Sequence, residues 1–303
     1  MKVWNKLVAL VLVLVLALSL TACGGFSGRM AKAAIKMQKV QNLRMDIDVD
    51  LGMSMSVFGE AMDLSTAITG PVDIINAPMK LKADLNMTVM DEPIDFLCYA
   101  DQAGDSTIVY FSADDGENWS KTTTETGDLS ANASMNADTI KAFASLSSSF
   151  EEKGTETIKG SEAIVYSAVL DMTQLEGILS LQNTLDAIEK VSDMKLDELD
   201  LSTVAPVPVT LCIDKKSNML VKYTADVTSL MQAMTPLILQ AALDSALSES
   251  GLGDLADLGN MDLSSFFQFD VSKVVVSAEL YDFDAVGEIT IPPEALAAEE
   301  LVA

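Results

Sequence analysis

Histidine is absent from all 303 residues. Its absence excludes Ser-His-Asp and Cys-His catalysis and every His-containing zinc site. Basic charge is scarce as well: 19 Lys and Arg stand against 45 Asp and Glu, a formal net charge of −26. Binding to nucleic acid needs clustered cations to meet phosphate, so this balance argues against it. Aromatic residues make up only 6%, which leaves little surface for stacking sugars. What remains for an enzyme is carboxylate or lysine chemistry. Carboxylates are too many for counting to exclude a glycosidase-type pair, yet no spacing singles one out. The serine run 145–149 has neither a G-x-S-x-G context nor a base. No cofactor motif is present, and the chain reads as a non-enzyme. Its 49% hydrophobic content is that of a chain that folds.

Residues 1–22 form a leader. Lys2 and Lys6 give a basic start, and the apolar run Leu7–Leu20 follows. That run is short of the roughly 20 residues that span a bilayer and has the length of a signal-peptide core. It ends in Leu20-Thr21-Ala22-Cys23, then Gly24-Gly25. This order resembles the lipobox of bacterial lipoproteins, which implies cleavage before Cys23 and acylation (palmitate) of its thiol. An ordinary secretory signal or an uncleaved anchor is the plainer alternative. Residues 23–28 then read as the lipidated cysteine and a short glycine-rich tether. Loss of Lys2 and Lys6 makes the chain more acidic still, so anionic head groups should repel it. Attachment is expected from the acyl chains alone. The expected location is the extracytoplasmic face of the cell membrane, lipid-anchored. Cys98 shares the alternation of Ile94 and Phe96, whereas Cys212 falls out of phase with Val207, Val209, Leu211 and Ile213, so the two read as unpaired thiols on opposite sides of a sheet; a disulfide is the other possibility.

The mature chain changes period sharply. Residues 29–41 place Met30, Ala33, Ala34, Met37 and Val40 at helical spacing. From Leu43 to Val57 every second residue is apolar, with Arg44, Asp46, Asp48 and Asp50 between. The same alternation returns over Met79–Val89. Further strands are expected at 94–100, 107–112, 154–158, 163–170, 207–213, 220–227, 267–283 and 288–291. Helices are expected at 137–150, from Asp171 or Thr173 to about 191, and at 229–247 with a break at Thr235-Pro236. Residues 122–136 suit a loop. The stretch 248–265 sets Leu252, Leu255, Leu258, Met261 and Leu263 among three glycines. It reads either as a movable flap over a cavity mouth or as a connection docked on the preceding helix. Strand blocks interleaved with few helices indicate an α+β fold with a large antiparallel sheet whose helices cover one face. One domain is expected over 29–296, with a tail at 297–303.

Two groups of side chains stand out. Met45, Met53, Met55, Met79 and Met87 lie on the apolar faces of two early strands. Methionine adapts to varied apolar shapes, so these five are candidate cavity-lining residues; ordinary core filling explains them as simply. Asp46, Asp48 and Asp50 suggest a calcium loop, but its glycine would fall at Leu51 and its closing glutamate at Val57. On a strand their carboxylates line up about 7 Å apart on a solvated face.

Several segments together resemble one family: AAIKMQKVQNLRMDIDVDLGMSM, GENWSKTT, GTETIKGSEAIVYSAVLD, VTLCIDKKSNMLVKYTADVT and LYDFDAVGEITIPPEA. They are similar to Gram-positive lipoproteins of the lipoprotein-carrier and mycobacterial glycolipid-carrier superfamily. That resemblance implies a curved antiparallel half-barrel with helices on its concave face and an apolar cavity between. It implies a lipid or acyl-chain ligand, and no individual contact residue carries over. Cys98, Cys212 and 248–265 depart from the pattern. A non-enzymatic interaction or sensing module with a closed core is the alternative, since fold does not fix function.

Overall fold

The computed structural model describes residues 25–57, 60–89, 92–104, 106–125, 137–179, 201–237 and 267–300. Cys23 and the stretch 248–265 lie outside the described residues, as do the later parts of the helices expected to about 191 and over 229–247.

One 12-stranded sheet organises the chain, in the order β12-β6-β5-β4-β3-β2-β1-β11-β10-β9-β8-β7. Its strands are β1 (Asn42–Val57), β2 (Glu60–Asn76), β3 (Met79–Val89), β4 (Glu92–Ala103), β5 (Ser106–Ser112) and β6 (Ser120–Glu125). Then come β7 (Glu151–Ile158), β8 (Ser161–Leu170), β9 (Val207–Asp214), β10 (Leu220–Asp226), β11 (Phe267–Tyr281) and β12 (Glu299–Glu300). Two antiparallel meanders, β1–β6 and β7–β10, are joined by β11, which pairs with both β1 and β10. Only β12 is parallel to its neighbour. The sheet is not closed, and the fold is mixed α+β.

β2 is a strand that the alternation rule passes over. Met62, Leu64, Ile68, Val72 and Ile74 do alternate, but Thr66 and Gly70-Pro71 interrupt the series. Thr66 is nonetheless buried. At Gly70, φ is 151°, and a Cβ there would lie 2.1 Å from the Asp84 carbonyl oxygen. Glycine lets β2 approach β3 where side chains would hold them apart.

Helix α1 (Phe26–Met37) starts before the expected boundary, so Ser27 and Gly28 belong to its first turn and not to the tether. Tertiary contact is the reason: the Phe26 ring stacks on Phe150 at 4.2 Å and meets Tyr166 edge-on at 4.9 Å. Its buried face is Phe26, Met30, Ala33, Ala34 and Met37. It packs on α2 (Ala137–Ser145), which buries Ile140 and Phe143, and touches β9 and β10. Helix α3 (Met172–Leu179) opens with a reciprocal cap: Gln174 N donates to Asp171 Oδ1 at 2.8 Å, and Asp171 N donates to Gln174 Oε1 at 3.0 Å. Helix α4 runs over 228–237 and continues through Pro236 without the expected break. Thr235 Oγ1 donates to the Met231 carbonyl at 2.7 Å beside the proline.

Three further expectations are corrected around β6 and the C-terminus. Residues 122–125 are strand, not loop, because β6 pairs with β5. Residues 288–291 are not a strand, and the short helix α5 (Pro293–Leu296) leads into β12, so the tail joins the sheet. This segment lies on the face opposite the main helices. There Ile289 and Ala295 close a small cluster with Tyr99 and Tyr110, and Trp119 and Ile291 pack against it.

Candidate ligand-binding face

Residues paired directly across strands share a face, so the register sorts the apolar side chains into rows. The first row runs Leu280, Met45, Val72, Ala83 and Cys98. Leu280, Met45, Val72 and Ala83 are buried in the main core, with Cys98 packed against them. Four residues along, about 13 Å away, lies a second row on the same face: Val276, Val49, Ile68, Met87 and Ile94. All five are half-buried, and none belongs to the core cluster among the described residues. Helix α1 packs on β9 and β10, and the first row shares one buried cluster with its apolar face and that of α2, whereas the second row does not.

The five candidate methionines divide accordingly. Met45 is closed into the core at 7% exposure; Met79 is equally buried but outside the cluster. Met53 and Met87 are half-buried, and the Met55 side chain lies outside the described residues. In the β1–β2 register Met53 stands opposite Leu64 and Met55 opposite Met62. Met53 and Met87 have no cross-strand partner in common.

The opposite face is charged. Arg44 clasps Asp73, with Nη2 to Oδ2 at 2.8 Å. Lys159 pairs with Asp46, and Lys273 with Asp50. Lys222 reaches Glu156 at 3.0 Å and Glu279 at 3.3 Å. Asp46 and Asp50 thus stand on an ion-paired outer face. Two adjoining clefts of about 320 and 350 Å³ open there, both lined by Arg44, Asp73 and Lys82. Sequence reasoning missed this network because Lys159 arrives from the β7–β8 turn and Tyr281 from the end of β11, both far along the chain. Burial raises the Tyr281 hydroxyl, and its 2.7 Å bond to Asp46 adds to this, to a pKa of about 12. Burial opposes ionisation of Asp46, yet bonds from Lys159 and Tyr281 hold its pKa below the usual carboxylate value. At neutral pH the tyrosine keeps its proton and the carboxylate's lone pairs are engaged, so the trio pairs strands rather than moving protons.

That depression has a consequence for stability. Asp46 contributes while ionised, and the contribution is lost as pH falls through its lowered pKa, below the usual 3.8. Asp46→Asn is expected to lower unfolding free energy by up to about 1 kcal/mol at pH 7, given the partial exposure of the pair. Urea titrations of both proteins should converge as the pH drops through that range.

Cys98 and Cys212 are both free thiols. Cys98 faces the helix-side core, whereas Cys212 lies beneath Glu156, Lys222 and Glu279 of the outer face. Burial pushes each to about 11. Opposite directions and suppressed thiolates suit two idle cysteines.

Residues 29–241 match a family of unknown function, DUF6612. The chain belongs to that family. The stretch 248–265 falls beyond the matched span. No curated protein matches this DUF6612 member. Among solved structures, the Mycobacterium tuberculosis lipoprotein LppX is similar over 88% of this chain and 98% of its own, at 12% identity and a TM-score of 0.44. LprF from Mycobacterium bovis is similar over 89% and 97%, at 12% identity and a TM-score of 0.39. A domain described as an outer membrane lipoprotein-sorting protein, from Vibrio parahaemolyticus, is similar over 88% and 94% at 8% identity, with a TM-score of 0.18. These are the kinds of protein named by the resemblance in the DUF6612 member's sequence. Among the described residues no helix is long and apolar enough to cross a membrane.

Proposed function

We propose that the chain is an extracytoplasmic lipoprotein, anchored through acylated Cys23, that holds a lipid or acyl chain between its sheet and helices. In this reading the sheet curves as a half-barrel around helices on its concave side, and the protein carries or presents its ligand without chemistry. The observation that supports it is the second apolar row, Val276, Val49, Ile68, Met87 and Ile94, half-buried and outside the core. Contiguous apolar surface of that kind on a soluble domain marks a binding site more often than idle exposure. Met53 and Met87 supply the adaptability that acyl chains of differing shape require.

The test is native mass spectrometry of the processed chain carrying Cys23→Ser, followed by uptake of a fluorescent fatty acid. Co-purifying lipid and saturable uptake are expected. Met87→Lys places a cation in the row and should weaken uptake about tenfold or more, with little change in the urea midpoint because Met87 is half-exposed. Empty protein that takes up no fatty acid would instead favour a closed-core interaction or sensing module. The burial of Met45 and Met79 is the observation on that side.

A further inference from the structure

We propose that the outward face of α1, with the neighbouring β9–β10 turn, is a docking surface for an anionic lipid bilayer. The net charge of −26 conceals an uneven distribution: the first acidic residue in the chain is Asp46, and Arg29, Lys32, Lys36, Lys39 and Arg44 all precede it. Within α1 the buried face takes Phe26, Met30, Ala33, Ala34 and Met37. Lys32, Ile35, Lys36 and Lys39, spaced i, i+3, i+4 and i+7, fall together on the exposed side. None of these lysines makes an ion pair with a described carboxylate. Lys36 Nζ donates to the Ser217 carbonyl, and Arg29 Nη1 donates to Asn218 Oδ1 at 3.3 Å, so the 214–218 turn lies alongside the helix. That turn adds the exposed Lys216 to the patch, within the field of Asp214 and Glu162 but in no ion pair with a described carboxylate.

The acids nearest the patch are already engaged. Glu162 holds Lys215 at 2.6 Å. Asp214 is buried and accepts from Lys216 N at 3.0 Å and Ser217 N at 2.5 Å. Asp284 accepts from Gln41 N at 2.6 Å.

Ile35 points to a bilayer rather than to a dissolved polyanion. It is 55% exposed in the middle of the lysine stripe, and the other exposed large hydrophobics among the described residues, Val169 and Leu296, have no such setting. A cationic helix face with an apolar side chain at its centre suits the head-group boundary: the lysines meet lipid phosphate while the isoleucine enters the acyl edge. Geometry agrees, because only two residues separate Cys23 from Phe26. The chain's reach of at most about 3.6 Å per residue puts the start of α1 within about 11 Å of an anchored Cys23. The surface deepens the anchored reading by adding an orientation, with α1 lying on the membrane.

The test leaves out the anchor, so that failure of one idea is separable from failure of the other. The processed chain carrying Cys23→Ser is sedimented with vesicles of phosphatidylcholine alone or with 40% phosphatidylglycerol. Salt-sensitive binding to the anionic vesicles only is expected. Each of Lys32→Gln, Lys36→Gln and Lys39→Gln should lower partitioning about fivefold, as should Ile35→Ser in lesser degree. Lys273→Gln, a lysine of the outer face, should leave it unchanged. Equal partitioning into both vesicle types, no binding at low salt, or insensitivity to the lysine variants would each overturn the proposal. Binding to soluble polyglycerol phosphate in place of vesicles would overturn it in favour of an anionic polymer.

Discussion

Cys23→Ser is expected to abolish palmitate incorporation and to shift the protein from the membrane fraction to the soluble one. The leader's apolar run is too short to span, so once cleaved the chain retains no hydrophobic segment of membrane length before α1. Burial of acyl chains contributes about 0.8 kcal/mol per methylene, and two or more chains make attachment effectively stable. A serine hydroxyl at that position offers no thiol for the lipid to be joined to. The few lysines of α1 give weak, salt-sensitive contact and would not retain the protein during washing at high ionic strength. Radiolabelled palmitate and fractionation measure both effects. A mature protein that still carries residues 1–22, or one that stays membrane-bound in high salt without Cys23, would refute the anchor.

Gly70→Ala is expected to destabilise the fold by about 2–4 kcal/mol, read from the urea unfolding midpoint. Two effects act together there. The backbone sits at a φ of 151°, which alanine rarely adopts, and the new methyl would meet the Asp84 carbonyl oxygen at 2.1 Å. That contact is backbone on backbone, so no side chain can swing aside, and β2 must move away from β3. The comparison is Gly160→Ala in the β7–β8 turn, where φ is +81° and nothing lies within 4 Å. Strain alone should cost about 1 kcal/mol at that site. Equal losses at the two positions would show that the close approach of β2 to β3 contributes nothing. Because β2 carries Ile68 between Val49 and Met87, Gly70→Ala should also weaken fatty-acid uptake.

The strands that were legible are those in which one side of the ladder is uniformly apolar. β1 and β3 announce themselves by unbroken alternation, and α1 and α2 by their buried helical faces. β2 was hidden by a buried threonine and a glycine-proline pair, both of which serve contacts with neighbouring strands. β6, reading SKTTTE, has no apolar alternation at all and is a strand because β5 offers it a ladder. Helix α1 extends to Phe26 through stacking on Phe150, a residue more than a hundred positions away.

The sequence alone determined the things that depend on neighbours along the chain. Those are the short apolar run that ends at Cys23, the exclusion of histidine chemistry, the acidic balance, and the two-period pattern that requires one large sheet with helices against it. Only the tertiary structure decided which apolar residues are closed into the core and which remain half-exposed. Burial depends on what packs over a strand, and Met45 shares one buried cluster with α1 and α2 while Met87 stays outside it. It also decided where charge accumulates. Residues far apart in sequence, Lys159 beside Asp46 and the 214–218 turn beside α1, meet only when the sheet sets its turns next to them.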